Sequence, residues 1–136
     1  MANSSTCSPR GDTHERYGPC RMPADARAPG TARRWISLLD DARARHKNIG
    51  LVASELVTNA VVHTTCPEIV VTVVVGSATT RLEVSDCDPA HPRVLEGTVG
   101  GRPAGLGLRV VDAVAARWGV EPLPPGKTVW AEFDAA

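Results

Sequence analysis

Aromatic residues are scarce in this chain. Its 136 residues include three Trp, one Tyr and one Phe. A protein that stacks the bases of single-stranded nucleic acid needs aromatic faces, so such a platform is not expected. Excess charge is missing as well. The 15 Lys and Arg balance the 15 Asp and Glu, for a formal net charge of zero. That argues against a broad basic surface and direct nucleic-acid binding. No segment is long and apolar enough to span a membrane. Met1 to Arg10 is polar with no apolar run, so no secretory signal is expected there.

Cysteine is sparse too. Cys7, Cys20, Cys66 and Cys87 form no C-x-x-C pair, and their spacing marks no zinc site. The simplest inference is a reduced, cytoplasmic protein whose cysteines are free thiols. Two catalytic motifs are absent. Gly126-Lys127-Thr128 ends like a phosphate-binding P-loop, but Glu121 stands where the earlier glycine belongs, and a strand follows where a helix should. It reads as a turn. No Gly-x-Ser-x-Gly elbow exists for a serine hydrolase.

What remains is the length of one compact domain, with 43% hydrophobic residues to fill a core. Residues 1–16 carry Ser, Pro and Gly without periodicity and read as a disordered tail. Tyr17 to Met22 reads as a short edge strand, and Pro23 to Gly30 as a connection. Thr31 is placed to cap a helix running to about Arg45, with Trp35, Leu38, Leu39 and Ala42 on one face. A second helix carries Ile49, Val52, Ala53, Leu56 and Ala60 at helical spacing and ends before Pro67. Glu68 to Val75 is valine-rich and apolar on both faces, which suits a central strand of a covered sheet. After a turn at Gly76 to Thr79, Thr80 to Asp86 alternates, with Leu82 and Val84 facing one way. Cys87 to Ala104 has no pattern and reads as a long loop, of a length that is uncommon unless functional or disordered. Gly105 to Arg117 reads as a helix, Trp118 to Glu121 as a short strand, Pro122 to Gly126 as a turn and Lys127 to Phe133 as a strand. Adjacent strands with helices grouped apart indicate an α+β two-layer sandwich over residues 17–136.

Within the second helix, Glu55, Asn59 and His63 recur one turn apart along the edge of the apolar stripe. Two readings stay open. These residues are the polar rim of an ordinary helix, or Glu55 accepts a proton and Asn59 binds magnesium. His63, near the helix end, fits a structural or supporting role better than a general base. Asp86 shares the parity of Leu82 and Val84, so it points toward the core layer, where a carboxylate needs a partner. It either accepts a hydrogen bond from the exocyclic amine of a bound base or caps the loop that follows. Gly105-Leu106-Gly107-Leu108 opens a helix, where glycine allows close backbone approach and free N–H groups suit phosphate. Arg102 adds positive charge just before it.

The order of these signals resembles the Bergerat ATP-binding fold shared by histidine kinases, type II topoisomerases and MutL. A helix with Glu-x-x-x-Asn is followed by two strands ending in Asp, a long loop, and Gly-x-Gly opening a helix. Short chains of this type are similar to the bacterial anti-sigma-factor serine/threonine kinases, the SpoIIAB and RsbW type. Ser54-Glu-Leu-Val-Thr-Asn-Ala-Val-Val-His63 and Gly126-Lys-Thr-Val-Trp-Ala-Glu132 carry the likeness, which spans roughly Tyr17 to Phe133. It implies a mixed, largely antiparallel sheet covered by helices on one face. It implies ATP and Mg2+ as cofactors, Glu55 as general base, Asn59 as magnesium ligand and Asp86 as the carboxylate that reads adenine. Gly105 and Gly107 would lie beside the triphosphate, with Arg102, Leu106, Leu108 and Thr128 as further nucleotide contacts. Cys87 to Ala104 would be the mobile lid. The partners implied are a sigma factor, held inactive, and a STAS-domain antagonist, phosphorylated on serine or threonine; dimers are usual in the family. One departure stands out. The family's Asp-x-Gly-x-Gly box is here Asp86-Cys87-Asp88-Pro89-Ala90, with neither glycine. That departure motivates an alternative: a non-catalytic nucleotide-binding module that controls a partner by binding alone.

Overall fold

Valine decides where the sheet begins. Five of the eight residues of strand β2 (Glu68–Val75) are valines, whose branched side chains favour extended backbone. In a computed structural model, residues 16–45, 47–89, 98–99, 102–103 and 106–135 are described. They form β1 (Arg16–Pro23), helix α1 (Ala28–Ser37), helix α2 (Ile49–His63), β2 and β3 (Thr79–Asp86). A two-residue ribbon, β4 (Thr98–Val99) and β5 (Arg102–Pro103), follows; then come helix α3 (Leu106–Val114), β6 (Arg117–Leu123) and β7 (Gly126–Asp134). The main sheet has the order β1-β2-β3-β7-β6.

Every pairing in that sheet is antiparallel. The mixed sheet expected from the sequence is therefore corrected: short turns join β2 to β3 and β6 to β7, and a tight turn can only reverse the chain. The buried apolar side chains of β1, β2, β3 and β7 line one face of the sheet, with a shift in β1 between Tyr17 and Cys20, while β6 buries none. Tyr17, Cys20 and Met22 join Ile69, Val71, Val73 and Val75, then Leu82 and Val84, then Val129, Ala131 and Phe133. The helices supply Trp35, Ile36, Val52, Leu56, Val57 and Leu108 to the same core. Helix α2 lies in the middle of its layer, packed on α1 and α3 and on β2, β3 and β7. The result is an α+β two-layer sandwich with α2 laid across the centre of the sheet.

Several expectations shift. Helix α1 starts at Ala28, because Pro29 sits in its first turn with φ already suited to a helix. Thr31 is thus inside the helix. The helix stops at Ser37, and Leu38, expected in the core, is 63% exposed. A separate 3-10 turn, Ala42–Arg45, follows, capped by the Asp41 carboxylate accepting from the Arg43 N–H at 2.9 Å. β1 is an edge strand as expected, but β2 is second from the edge and β3 holds the centre. Helix α3 ends at Val114 because Arg117 already belongs to β6. The expected tail lies outside the described residues up to residue 15, while Arg16 opens β1. Most of the expected lid also lies outside them, but Thr98–Val99 pairs with Arg102–Pro103 within it.

Candidate functional site

The site is built where α2 ends and β3 ends. Helix α2 presents Leu56, Val57 and Ala60 to the core and keeps Glu55 and Asn59 half-buried at its rim. These two residues are separated by about 6 Å along the helix axis, one turn. Ser54, beside Glu55, accepts a hydrogen bond from the Arg33 guanidinium of α1 at 3.0 Å. The helix closes at His63, which is exposed. Thr64 then leaves in extended conformation, its hydroxyl donating back to the Ala60 carbonyl at 2.6 Å.

Three residues past the helix, Cys66 is disulfide-bonded to Cys87, the residue after Asp86, with Cα atoms 5.6 Å apart. This corrects the expectation of free thiols: Cys20, Cys66 and Cys87 are all disulfide-bonded, and no free cysteine occurs among the described residues. The Cys66–Cys87 bond lies just beyond the open end of the β2–β3 ladder, whose last pair is Val70↔Ser85, so the reading of a reduced protein, not the placing of the strands, hides it. The bond brings the exit of the Glu55–Asn59 helix and the strand-end acid into one corner. The Cys87 N–H also points at Cys66 Sγ, at 2.9 Å.

Asp86 points to the helix side of the sheet, as its parity demands, and its side chain is only 2% exposed. It has partners on two sides. Lys127 Nζ lies 3.1 Å from Oδ1 and 3.1 Å from Oδ2. The Asp88 N–H donates to Oδ1 at 2.8 Å, so the carboxylate also caps the turn that follows. Lys127 Nζ donates in addition to the Asp88 carbonyl at 2.8 Å. On the far side, Gly126 lies against the Asp86–Cys87 peptide so closely that a Cβ there would fall 1.8 Å from the Asp86 carbonyl oxygen. The turn after Asp86 is held by a disulfide, a lysine and a backbone contact.

Lys127 is the residue that sequence reasoning missed: it reads as the start of the strand to Phe133 and, with Gly126 and Thr128, as a failed P-loop, and receives no part in the site. It shares the parity of the buried Val129, Ala131 and Phe133, and it pairs directly with Asp86 across the ladder. A lysine on the apolar parity of a strand needs a carboxylate, and the acid on the apolar parity of β3 was already in view. Thr128, expected to touch nucleotide, turns the other way. Its hydroxyl meets Ser85 Oγ at 2.7 Å on the opposite face, so Lys127, not Thr128, shares a face with Asp86.

The remaining expected contacts are only partly placed. Leu106 and Gly107 open α3, and Arg102 lies in the short ribbon. Leu108 is buried in the core, which leaves its backbone alone to meet a ligand. Gly105 lies outside the described residues. Among the described residues no three His, Cys, Asp or Glu side chains gather as a metal cage. Magnesium held by one side chain, phosphates and water needs none. A scan of the chain against protein-family models finds no match, and a search of curated proteins finds none either.

Proposed function

We propose that the chain is an ATP- and magnesium-dependent protein serine/threonine kinase of the anti-sigma-factor type, with a Bergerat-like fold. The observation that carries this reading is the corner itself. The segment that leaves the Glu-x-x-x-Asn helix and the residue that follows the strand-end Asp, far apart in sequence, are joined through Cys66 and Cys87. The residues suit a nucleotide in two respects. Asp86 and Lys127 hold an acceptor and a donor side by side, the pair an adenine edge would need, and at 2% and 6% exposure they would meet it only once their own bond opens. Asn59 keeps its amide half-exposed near the same end of α2, where its carbonyl oxygen would hold magnesium.

Bound Mg-ATP would supply the phosphoryl group and the charge neutralisation that this chemistry needs. Glu55 would take the proton of an incoming serine or threonine hydroxyl, and the Asp86–Lys127 pair would orient the base. The implied partners are a sigma factor and a STAS-domain antagonist, with the chain paired as a homodimer; a cytoplasmic setting rests on those partners, since the bonded Cys20, Cys66 and Cys87 remove the free-thiol argument for it. The locked turn after Asp86 favours a second reading, a module that binds nucleotide and regulates without transfer. Incubation with Mg-ATP and a cognate antagonist separates the two. A Glu55→Ala variant is expected to keep nucleotide affinity while phosphotransfer falls by about 100-fold or more. Transfer at the wild-type rate would remove Glu55 from the base role, and no transfer by the wild-type chain despite binding would favour the module.

A further inference from the structure

We propose that Cys66–Cys87 is a thiol–disulfide exchange site whose oxidation state sets how freely the Asp86 corner opens. The bond joins residues 21 apart, but it is not what closes the β2–β3 hairpin. That hairpin is already held by a ladder running from Val75↔Thr80 to Val70↔Ser85. The crosslink lies beyond the open end of the ladder. It therefore acts on the segments that ladder does not hold: the exit of α2 on one side and, on the other, Cys87 and Asp88 just past the Asp86↔Lys127 pairing with β7.

The two sulfurs differ in access. Cys66 is 5% exposed, whereas Cys87 is an exposed residue. An external thiolate thus reaches Cys87 Sγ. Attack there forms a mixed disulfide at Cys87 and expels Cys66 as thiolate, and the Cys87 N–H that points at Cys66 Sγ favours that leaving charge. The second thiolate of a dithiol reductant then attacks its own sulfur in the mixed disulfide and expels the Cys87 thiolate. The dithiol ends as a disulfide, and its two protons end on Cys66 and Cys87. The reverse exchange, with a disulfide oxidant, restores the bond. Once reduced, residues 86–88 keep the β3–β7 pairing at Asp86, the Asp88 N–H on its carboxylate, Lys127 and the Gly126 contact, but lose their covalent tie to the exit of α2, so the carboxylate and lysine part more readily. The effect on ligand binding rests on the nucleotide reading above; the opening of the turn does not.

The test uses the full chain. Dithiothreitol in graded amounts, with alkylation and peptide mapping, follows the Cys66–Cys87 bond, while amide hydrogen exchange follows residues 86–88. Exchange there is expected to rise at least about tenfold on reduction. Affinity for a fluorescent ATP analogue with magnesium is expected to tighten at least about fivefold. Because Cys20 is disulfide-bonded too, a Cys66→Ser/Cys87→Ser variant must reproduce both changes without reductant. If that variant does not fold, reduced wild-type chain with its bonds mapped decides alone. Absence of the bond in the oxidised protein, or unchanged exchange at 86–88 after reduction, overturns the proposal. Equal nucleotide affinity in both states also overturns it. Faster exchange with no nucleotide bound in either state upholds the exchange site and overturns the kinase reading.

Discussion

β3 and β7 carry two sets of ion pairs on opposite faces of the same two strands. On the helix side stands one pair, Asp86 with Lys127, with side chains 2% and 6% exposed. On the outer side Arg81 reaches Glu83 at 3.0 Å, Glu121 at 3.0 Å and Glu132 at 3.4 Å. Arg117 adds Glu132 at 2.9 Å and Asp134 at 2.6 Å. The Arg81 guanidinium also lies 4.4 Å from the centroid of the Trp130 ring. The outer network has more bonds, and its side chains keep from 22% to 59% of their surface exposed, so water can replace a lost partner. The inner pair has no water to fall back on, so its members depend wholly on each other and on the turn they hold. Bond number alone is therefore a poor guide to which set matters for stability.

Removing one partner of the inner pair should break this contrast most sharply. Lys127→Met leaves Asp86 buried and charged, and is expected to destabilise the chain by about 3–5 kcal/mol in urea unfolding. Adding Asp86→Asn removes the stranded charge and keeps an oxygen for the Asp88 N–H, so the double variant should recover most of the loss. A double variant no better than the single would mean that Lys127 acts by packing. Gly126→Ala comes next. Its Cβ would meet the backbone of Asp86 and Cys87, which cannot swing away as a side chain can. The expected cost is about 3 kcal/mol, at the upper end for overpacking, read by the same unfolding curves. Arg81→Ala on the outer face should cost only about 1 kcal/mol despite its several partners. Unlike the inner pair, that cost should shrink in high salt.

The same contrast explains what was legible in the sequence. Alternation places Leu82, Val84, Val129, Ala131 and Phe133 on one face, and all five are buried. The 3.6-residue period places Ile49, Val52, Ala53, Leu56 and Ala60 on one side of α2, and all five are buried as well. Burial follows from local pattern, so the layers and the orientation of Asp86 could be read. The partner of Asp86 follows from register, because Lys127 meets it only in the β3–β7 pairing. The Cys66–Cys87 bond follows from the β2–β3 pairing, beyond whose open end it lies. Local alternation shows a lysine on the apolar parity of β7, but it names the partner of neither Asp86 nor Cys66. Leu38 misled for a related reason: its spacing continues the α1 stripe, but the helix ends before it.

A third pair, between these extremes, sharpens the comparison. Asp41 accepts from Arg43 Nη2 at 2.9 Å, with side chains 15% and 58% exposed. The Arg43 hydrogen bond is the main cause holding the Asp41 carboxyl below its ordinary value of 3.8. A lowered carboxyl contributes stability that is present above 3.8 and is lost as pH falls through the folded value. Tyr17, whose hydroxyl faces Asp41 Oδ2 at 3.4 Å, moves the opposite way. Burial first, then the Asp41 charge, raises its phenol above the ordinary 10.0. Its contribution is therefore present below 10.0 and is lost as pH rises through the raised value. Asp41→Asn should flatten the acid limb and bring the Tyr17 phenol down, though not to 10.0, because burial is the larger cause. The chain has a single tyrosine, so phenolate absorbance titrates this group directly. An unchanged Tyr17 titration would mean that water screens Asp41 as fully as it does the outer network, while a full return to 10.0 would place its charge above burial in effect.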